Sequence, residues 1–180
     1  MRIIGGEYRS RLIDFPDAEG LRPTPDRVRE TLFNWLGQTL YGKRCLDLFA
    51  GSGALGFEAA SRGAAQVVMV EKNRKAWQFL QENIKKLGCI NMALHCADGL
   101  EFAQRGSGQF DVIFLDPPFA VDYLPKLLPL LPARLAADGV VYVESGAEFE
   151  PGHDWHVVKR AKAGAVHYQL MKHKQGAAIQ

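Results

Sequence analysis

From about residue 43 onward, short apolar runs alternate with longer stretches of helical spacing. Runs at 44–49, 66–70, 92–96, 111–115 and 139–143 predict strands, and segments 53–62, 73–87, 98–104 and 122–136 predict helices. Gly63 and Gly88 stand where helix C-caps are expected. This βαβα rhythm predicts an α/β fold with a mostly parallel sheet covered by helices on both faces. Two final alternating runs, roughly 155–161 and 165–171, flank a turn near Ala163-Gly164. They predict an antiparallel C-terminal hairpin that closes the edge of a seven-stranded sheet.

The first 40 residues follow another pattern and predict a small N-terminal extension, 1–40, ahead of a main domain, 41–180. Residues 2–13 suit a β-hairpin turning at Gly5-Gly6, and 14–24, with Pro16, Gly20 and Pro23, read as a loop. A helix is expected to start near Pro25, with Asp26 and Glu30 towards its positive end. Val28, Leu32, Trp35 and Leu36 form its apolar stripe, and Arg27, Arg29 and Glu30 lie off it.

Composition narrows the class. An apolar share of 47% and a charged share of 23% in 180 residues are those of an ordinary globular domain. No run approaches the ~20 apolar residues of a membrane span, and no signal-peptide pattern opens the chain. Three cysteines (Cys45, Cys89, Cys96) without a CxxC pair suit buried, reduced thiols in a cytoplasmic protein, with no metal site. The formal net charge is only +2, but the ends are more basic than the middle. Residues 31–150 hold eleven basic and thirteen acidic groups, whereas 151–180 hold five basic groups against Asp154. Arg2, Arg9 and Arg11 crowd the start against Glu7.

The candidate chemistry lies at the carboxyl ends of the predicted strands, where open α/β sheets bind ligands. Asp47-Leu-Phe-Ala-Gly51-Ser-Gly53-Ala-Leu-Gly56 links the first strand of the alternating region to its helix, with glycines that allow a tight turn and close ligand approach. Glu71 ends the second strand, at a distance suited to the hydroxyls of a ribose. Gly51, Gly53 and Gly56 also satisfy GxGxxG, so a nicotinamide dinucleotide and an oxidoreductase are the competing reading. Asp47, Glu71, Asp98 and Asp116 form an acid series along the expected trough. Such a series favours a cationic cofactor, S-adenosylmethionine, over a dianionic pyrophosphate. Asp98 suits either an adenine amino group or a helix N-cap. The fourth strand runs directly into Asp116-Pro117-Pro118-Phe119. A carboxylate, a stiff backbone carbonyl and a flat ring together can hold a planar group bearing an NH₂, such as a nucleobase.

These stretches resemble the motifs of Rossmann-like, S-adenosylmethionine-dependent methyltransferases acting on amino nitrogens. Arg2-Ile-Ile-Gly-Gly-Glu-Tyr-Arg-Ser-Arg-Leu and Leu21-Arg-Pro-Thr-Pro-Asp-Arg-Val-Arg-Glu-Thr-Leu-Phe-Asn-Trp-Leu resemble more narrowly the RsmD family, over nearly the whole chain. The resemblance implies methylation of N2 of a specific guanine in 16S ribosomal RNA of the small subunit. Adenine N6 remains the alternative amine. The matched motifs bring in Phe49, Ala50, Ser52, Lys72, Asn73, Gly99 and Leu100 as further cofactor contacts. On this reading the Asp116 carboxylate and Pro117 carbonyl accept the two amine hydrogens, Pro118 stiffens the turn, and Phe119 stacks on the base. The N-terminal segment is expected to contact RNA through Arg2, Arg9, Arg11, Arg22, Arg27 and Arg29, with Thr24 near the cofactor or target. An extension this small and weakly basic points to recruitment helped by ribosomal proteins in an assembling subunit; a monomer is expected.

Overall fold

The computed structural model describes residues 1–17, 21–118 and 120–174, the Val121 side chain excepted. Helix α1 (Asp26–Trp35) precedes β1 (Arg44–Asp47), α2 (Ala54–Ser61), β2 (Gln66–Glu71), α3 (Arg74–Leu87) and β3 (Met92–Cys96). Then come α4 (Gly99–Arg105), β4 (Phe110–Leu115), α5 (Ala120–Leu127), β5 (Leu135–Ser145), β6 (Trp155–Ala163) and β7 (Val166–His173). The strands form one seven-stranded sheet in the order β3-β2-β1-β4-β5-β7-β6. The pairings among β3, β2, β1, β4 and β5 are parallel, and β7 joins β5 and β6 antiparallel. Strand order reverses between β1 and β4, which opens a crevice at their carboxyl ends.

The sheet divides the core in two, because side chains alternate faces along a strand. Cys45, Val67, Met69, Val112, Phe114 and Tyr142 pack with α1, α2 and α3 on one face. Leu46, Val68, Val70, Ile113, Leu115, Val141 and Val143 pack with α4 and α5 on the other. The first 40 residues join the first of these layers. Ile3, Ile13, Val28, Leu32 and Phe33 are at most 2% exposed, and each contributes roughly 1.5–3 kcal/mol by its burial. The N-terminal segment is therefore fixed to the sheet by the same core that holds α2.

Three elements differ from the sequence pattern. The helix expected over 122–136 begins earlier and divides: α5 ends at Leu127 and continues as a 3-10 stretch, Leu128–Arg134. Pro125, Pro129 and Pro132 lack the N–H that an α-helix would use, so the chain tightens and then leaves the helix. Strand β5 starts at Leu135 rather than 139. A register shift between Phe110↔Leu135 and Val112↔Val140 absorbs the extra residues, with Asp138 at φ 63°. The N-terminal hairpin shrinks to one antiparallel bridge, Arg2↔Leu12, because Ile4 and Gly5 turn their amides to Glu58 instead of to a partner strand. Cys45 and Cys89 are buried as expected, but Cys96 is exposed at the end of β3. Among the described residues no helix is long and apolar enough to cross a membrane.

Candidate active site

Strand β1 ends on Asp47, whose side chain is 2% exposed. The loop that follows is fastened to β2 at two points. Ala50 N donates to Val70 O (2.9 Å), and Gly51 N donates to Glu71 Oε1 (2.8 Å). The other Glu71 oxygen accepts from Asn73 N at 2.8 Å, so this half-buried carboxylate ties the glycine loop to the end of its own strand. Gly53 caps α2 at φ 85°, a conformation that favours glycine, and an added Cβ there would lie 2.5 Å from the Phe57 ring. Ser52 is buried and its hydroxyl accepts from Ala54 N. Phe49 is half-buried and meets Tyr123 edge-on at 5.3 Å.

Asn73, Asp98, Gly99 and Leu100 carry local structure as well. Asn73 caps α3 by accepting from Ala76 N at 2.9 Å, and Lys72 beside it is exposed. Asp98 caps α4 by accepting from Leu100 N at 3.4 Å. Gly99 is buried against β1's exit: a Cβ there would lie 2.5 Å from Leu48 O. The Gly51 loop, Glu71 and the start of α4 therefore line one crevice.

The acids meet on the α1–α3 face. Leu115 and Val143 pair between β4 and β5, which puts Asp116 and Glu144 side by side one step further on. Glu144 is 7% exposed. Its Oε2 accepts from Tyr142 Oη (2.9 Å) and from Thr24 Oγ1 (3.2 Å). None of the ion pairs among the described residues involves Asp47, Glu71, Asp116 or Glu144. Their charges therefore act on one another without a protein cation. Burial, followed by the charge of Glu71, pushes the Asp47 carboxyl up to about 7, although the amides of Phe49 and Gly56 pull it back and Glu144 adds to the rise. Burial, then Glu144 and Asp47, holds Asp116 well above the ordinary carboxylate range. Burial also raises Glu144, against the two hydroxyls that favour its ionised form. Tyr142 is raised by burial and by the Glu144 charge.

An acid cluster with Asp47 and Glu144 buried, Asp116 and Glu71 half-buried, and no cation suits a positively charged ligand. Oδ1 of Asp47 is buried with no hydrogen-bond partner, which is costly in a finished core and expected in a ligand site. This set of acids thus fits S-adenosylmethionine, a sulfonium with an α-ammonium, better than it fits a pyrophosphate.

Pro117 is buried and Pro118 exposed; Phe119 lies outside the described residues. Leu21 reaches within 3.2 Å of a Cβ built on Gly51, and Thr24 reaches Glu144, so the chain before α1 lies across the same crevice. Among the candidate RNA contacts, Arg2, Arg9, Arg11, Arg22 and Arg27 are exposed. Arg2 donates to Ser10 O, Arg11 to Lys86 O, and Arg9 lines an open cavity of about 420 Å³ with Glu30, Asn34 and Arg62. Asp47, Glu71, Asp116 and Glu144 do not line this cavity.

Arg29 corrects the sequence reading. It is fully buried, pairs with Glu58 (3.2 Å) and Asp26, and donates to the carbonyls of Thr24 and Arg2. A guanidinium so enclosed cannot reach a phosphate. Glu144 and Tyr142 were absent from the sequence-derived set. Their signal was nevertheless present: Glu144 ends the apolar run Val140-Val-Tyr-Val as Asp116 ends Val112-Ile-Phe-Leu.

The order of the sheet, the glycine loop after β1 and the acids at the strand ends define a Rossmann-like methyltransferase. The family model described as conserved hypothetical protein 95 matches residues 1–172, and the chain belongs to that family, the RsmD family. It is 41% identical over 177 residues to ribosomal RNA small subunit methyltransferase D of Escherichia coli (strain K12), covering 94% of this chain and 88% of that one. The protein of the same name from Haemophilus influenzae is 38% identical over 178 residues, covering 94% and 92%. The solved structure of the Escherichia coli protein yhhF, whose description assigns it as a methyltransferase, superposes with a TM-score of 0.87 at 40% identity, covering 96% of this chain and 97% of that one.

Proposed function

We propose that this protein methylates the exocyclic N2 of a guanine in 16S ribosomal RNA of the small subunit, with S-adenosylmethionine as donor. The observation that carries this reading is the meeting of Asp47, Asp116 and Glu144, without a protein cation, beside the glycine loop and the stiff Pro117 peptide. Relatives named for methylation of small-subunit ribosomal RNA select the polymer. When bound, the cofactor supplies an electrophilic methyl group on a positively charged sulfur.

The chain's own residues do the rest by binding and positioning. Asp47 offers its unpartnered oxygen to the α-ammonium, and Glu71, already anchored by Gly51 and Asn73, keeps lone pairs for the ribose hydroxyls. The start of α4, where Asp98 and Leu100 are half-buried about the buried Gly99, faces the adenine. Asp116 and the Pro117 carbonyl accept the two amine hydrogens. They hold the nitrogen with its lone pair directed at the methyl group, and Phe119 fixes the plane of the base. A guanine amine is a poor nucleophile, so orientation and electrostatics supply most of the acceleration. The base must leave its stack to reach a site this recessed. The exposed Arg2, Arg9, Arg11, Arg22 and Arg27 are placed to meet phosphates. The substrate fitting so few basic contacts is RNA in an assembling subunit, where ribosomal proteins add to the binding surface.

Asp116→Ala tests the assignment. Transfer of labelled methyl to small-subunit RNA should drop at least about a thousandfold, as for loss of a central electrostatic contact, while calorimetric binding of S-adenosylmethionine changes less than about threefold. Full activity in that variant, or binding of a nicotinamide dinucleotide in place of S-adenosylmethionine, overturns it.

A further inference from the structure

Glu144 is a buried carboxyl group to which the reaction described above gives no task. It sits next to Asp116 across the β4–β5 ladder, on the same face of the sheet. The groups facing it are Asp116 from β4, Asp47 from β1, Tyr142 from its own strand, Thr24 from the segment before α1, and Tyr168, its partner on β7. None of these is a cation. Two hydroxyls, Tyr142 Oη and Thr24 Oγ1, converge on the same carboxylate oxygen. Donors aimed at one oxygen stabilise the ionised form. The protein has therefore built a holder for a negative charge at the flank of Asp116.

We propose that Glu144 is a positioning residue that acts through Asp116: its charge, held by Thr24 and Tyr142, makes Asp116 the group that takes the proton released by the methylated amine. The inference rests on the functional reading above. Once the nitrogen carries the methyl group it is cationic. One N–H bond breaks and its electron pair stays on nitrogen. The proton forms an O–H bond with the Asp116 carboxylate, and water removes it when the RNA leaves. A neighbouring negative charge raises the proton affinity of Asp116, so the hydrogen-bond acceptor of the bound amine becomes a competent base for the methylated one. Thr24 gives the N-terminal segment a share in this tuning, because its hydroxyl helps to keep Glu144 charged.

The test is a carbon NMR titration of the carboxyl groups in the free protein, compared with Glu144→Gln and Tyr142→Phe. In the wild type the Asp116–Glu144 pair should titrate in two steps, the upper one well above ordinary carboxyls. In Glu144→Gln a single step remains, about one unit or more below that upper midpoint. Tyr142→Phe removes one donor from the Glu144 carboxylate with little change of volume and should raise the lower midpoint, at which Glu144 gains its charge, by several tenths of a unit, roughly one lost hydrogen bond. In Glu144→Gln the acid limb of kcat for RNA methylation should move down with the upper midpoint, with KM for S-adenosylmethionine within about twofold. An unmoved upper midpoint in Glu144→Gln, or an unmoved lower midpoint in Tyr142→Phe, with S-adenosylmethionine binding intact, overturns the role of Glu144. Absence of methyl transfer to RNA by the wild type would instead overturn the functional reading, and the titration would still decide what Glu144 does to Asp116.

Discussion

Asp47 should be a residue that weakens the folded protein while serving its ligand. Its carboxyl is buried, feels Glu71 and Glu144, and keeps one oxygen without a partner. An acid raised from 3.8 to about 7 is harder to ionise in the folded chain than in the unfolded one. The unfolded state therefore releases this proton first as pH rises, and stability falls between the two values. At about pH 7.5 the difference is worth about 4 kcal/mol at most; at about pH 5 it is under 2 kcal/mol, and below about pH 4 it disappears. Asp47→Asn removes the charge and keeps the shape. Its amide keeps an acceptor oxygen for the backbone N–H groups of Phe49 and Gly56 but puts an NH₂ where the carboxylate had its unpartnered oxygen, a buried donor without an acceptor that returns about 1–2 kcal/mol of the gain. The net expectation is stabilisation by about 2 kcal/mol near neutral pH, a melting temperature higher by roughly 4–8 °C. Differential scanning fluorimetry of the ligand-free protein should show this increment shrinking as the pH is lowered. Calorimetry with S-adenosylmethionine should show the opposite sign, an affinity at least about tenfold weaker, since a charge-assisted hydrogen bond to a cation is lost. A variant that melts below the wild type, or that binds the cofactor equally well, refutes the account of Asp47 as an ion site held in reserve.

Arg29→Met should destabilise the protein by about 3 kcal/mol, because it removes one cation from the buried Glu58 and the donor from two carbonyls, while Arg62 and the amides of Ile4 and Gly5 remain. Urea unfolding measures it, and the loss should persist at high salt, unlike any effect of the exposed Lys86–Asp14 pair. A midpoint equal to that of the wild type would return Arg29 to the surface arginines. Gly99→Ala should cost about 1–3 kcal/mol and also weaken S-adenosylmethionine binding, since its Cβ would meet the Leu48 carbonyl and force α4 away from the crevice. Unchanged melting in that variant would show that α4 can shift without cost.

Most of the architecture was legible along the chain. Apolar runs that lack a polar face demand a sheet covered on both sides, and the capping residues Asn73 and Asp98 act within their own turns, so both are written locally. Asp47 and Asp116 could be placed for the same reason: an acid that ends an apolar run must lie at the end of a strand. The limits of β5 and α5 were less legible, because a bulge and three prolines override the hydrophobic period. Two assignments needed the folded chain. Arg29 precedes Leu32 and Phe33 by three and four positions, so helical spacing sets it beside the apolar stripe, but an arginine there is buried only with a partner, and Glu58 lies a helix and a strand away. Glu144 meets Thr24 across 120 positions, and only the pairing of β4 with β5 brings it to Asp116. The sequence by itself determined the class of sheet and the acids that point out of it, since period, capping and turn chemistry act over a few residues. Tertiary structure alone decided which charges are neutralised by a partner and which face a common crevice unpaired, because burial and Coulomb interaction depend on distance in space.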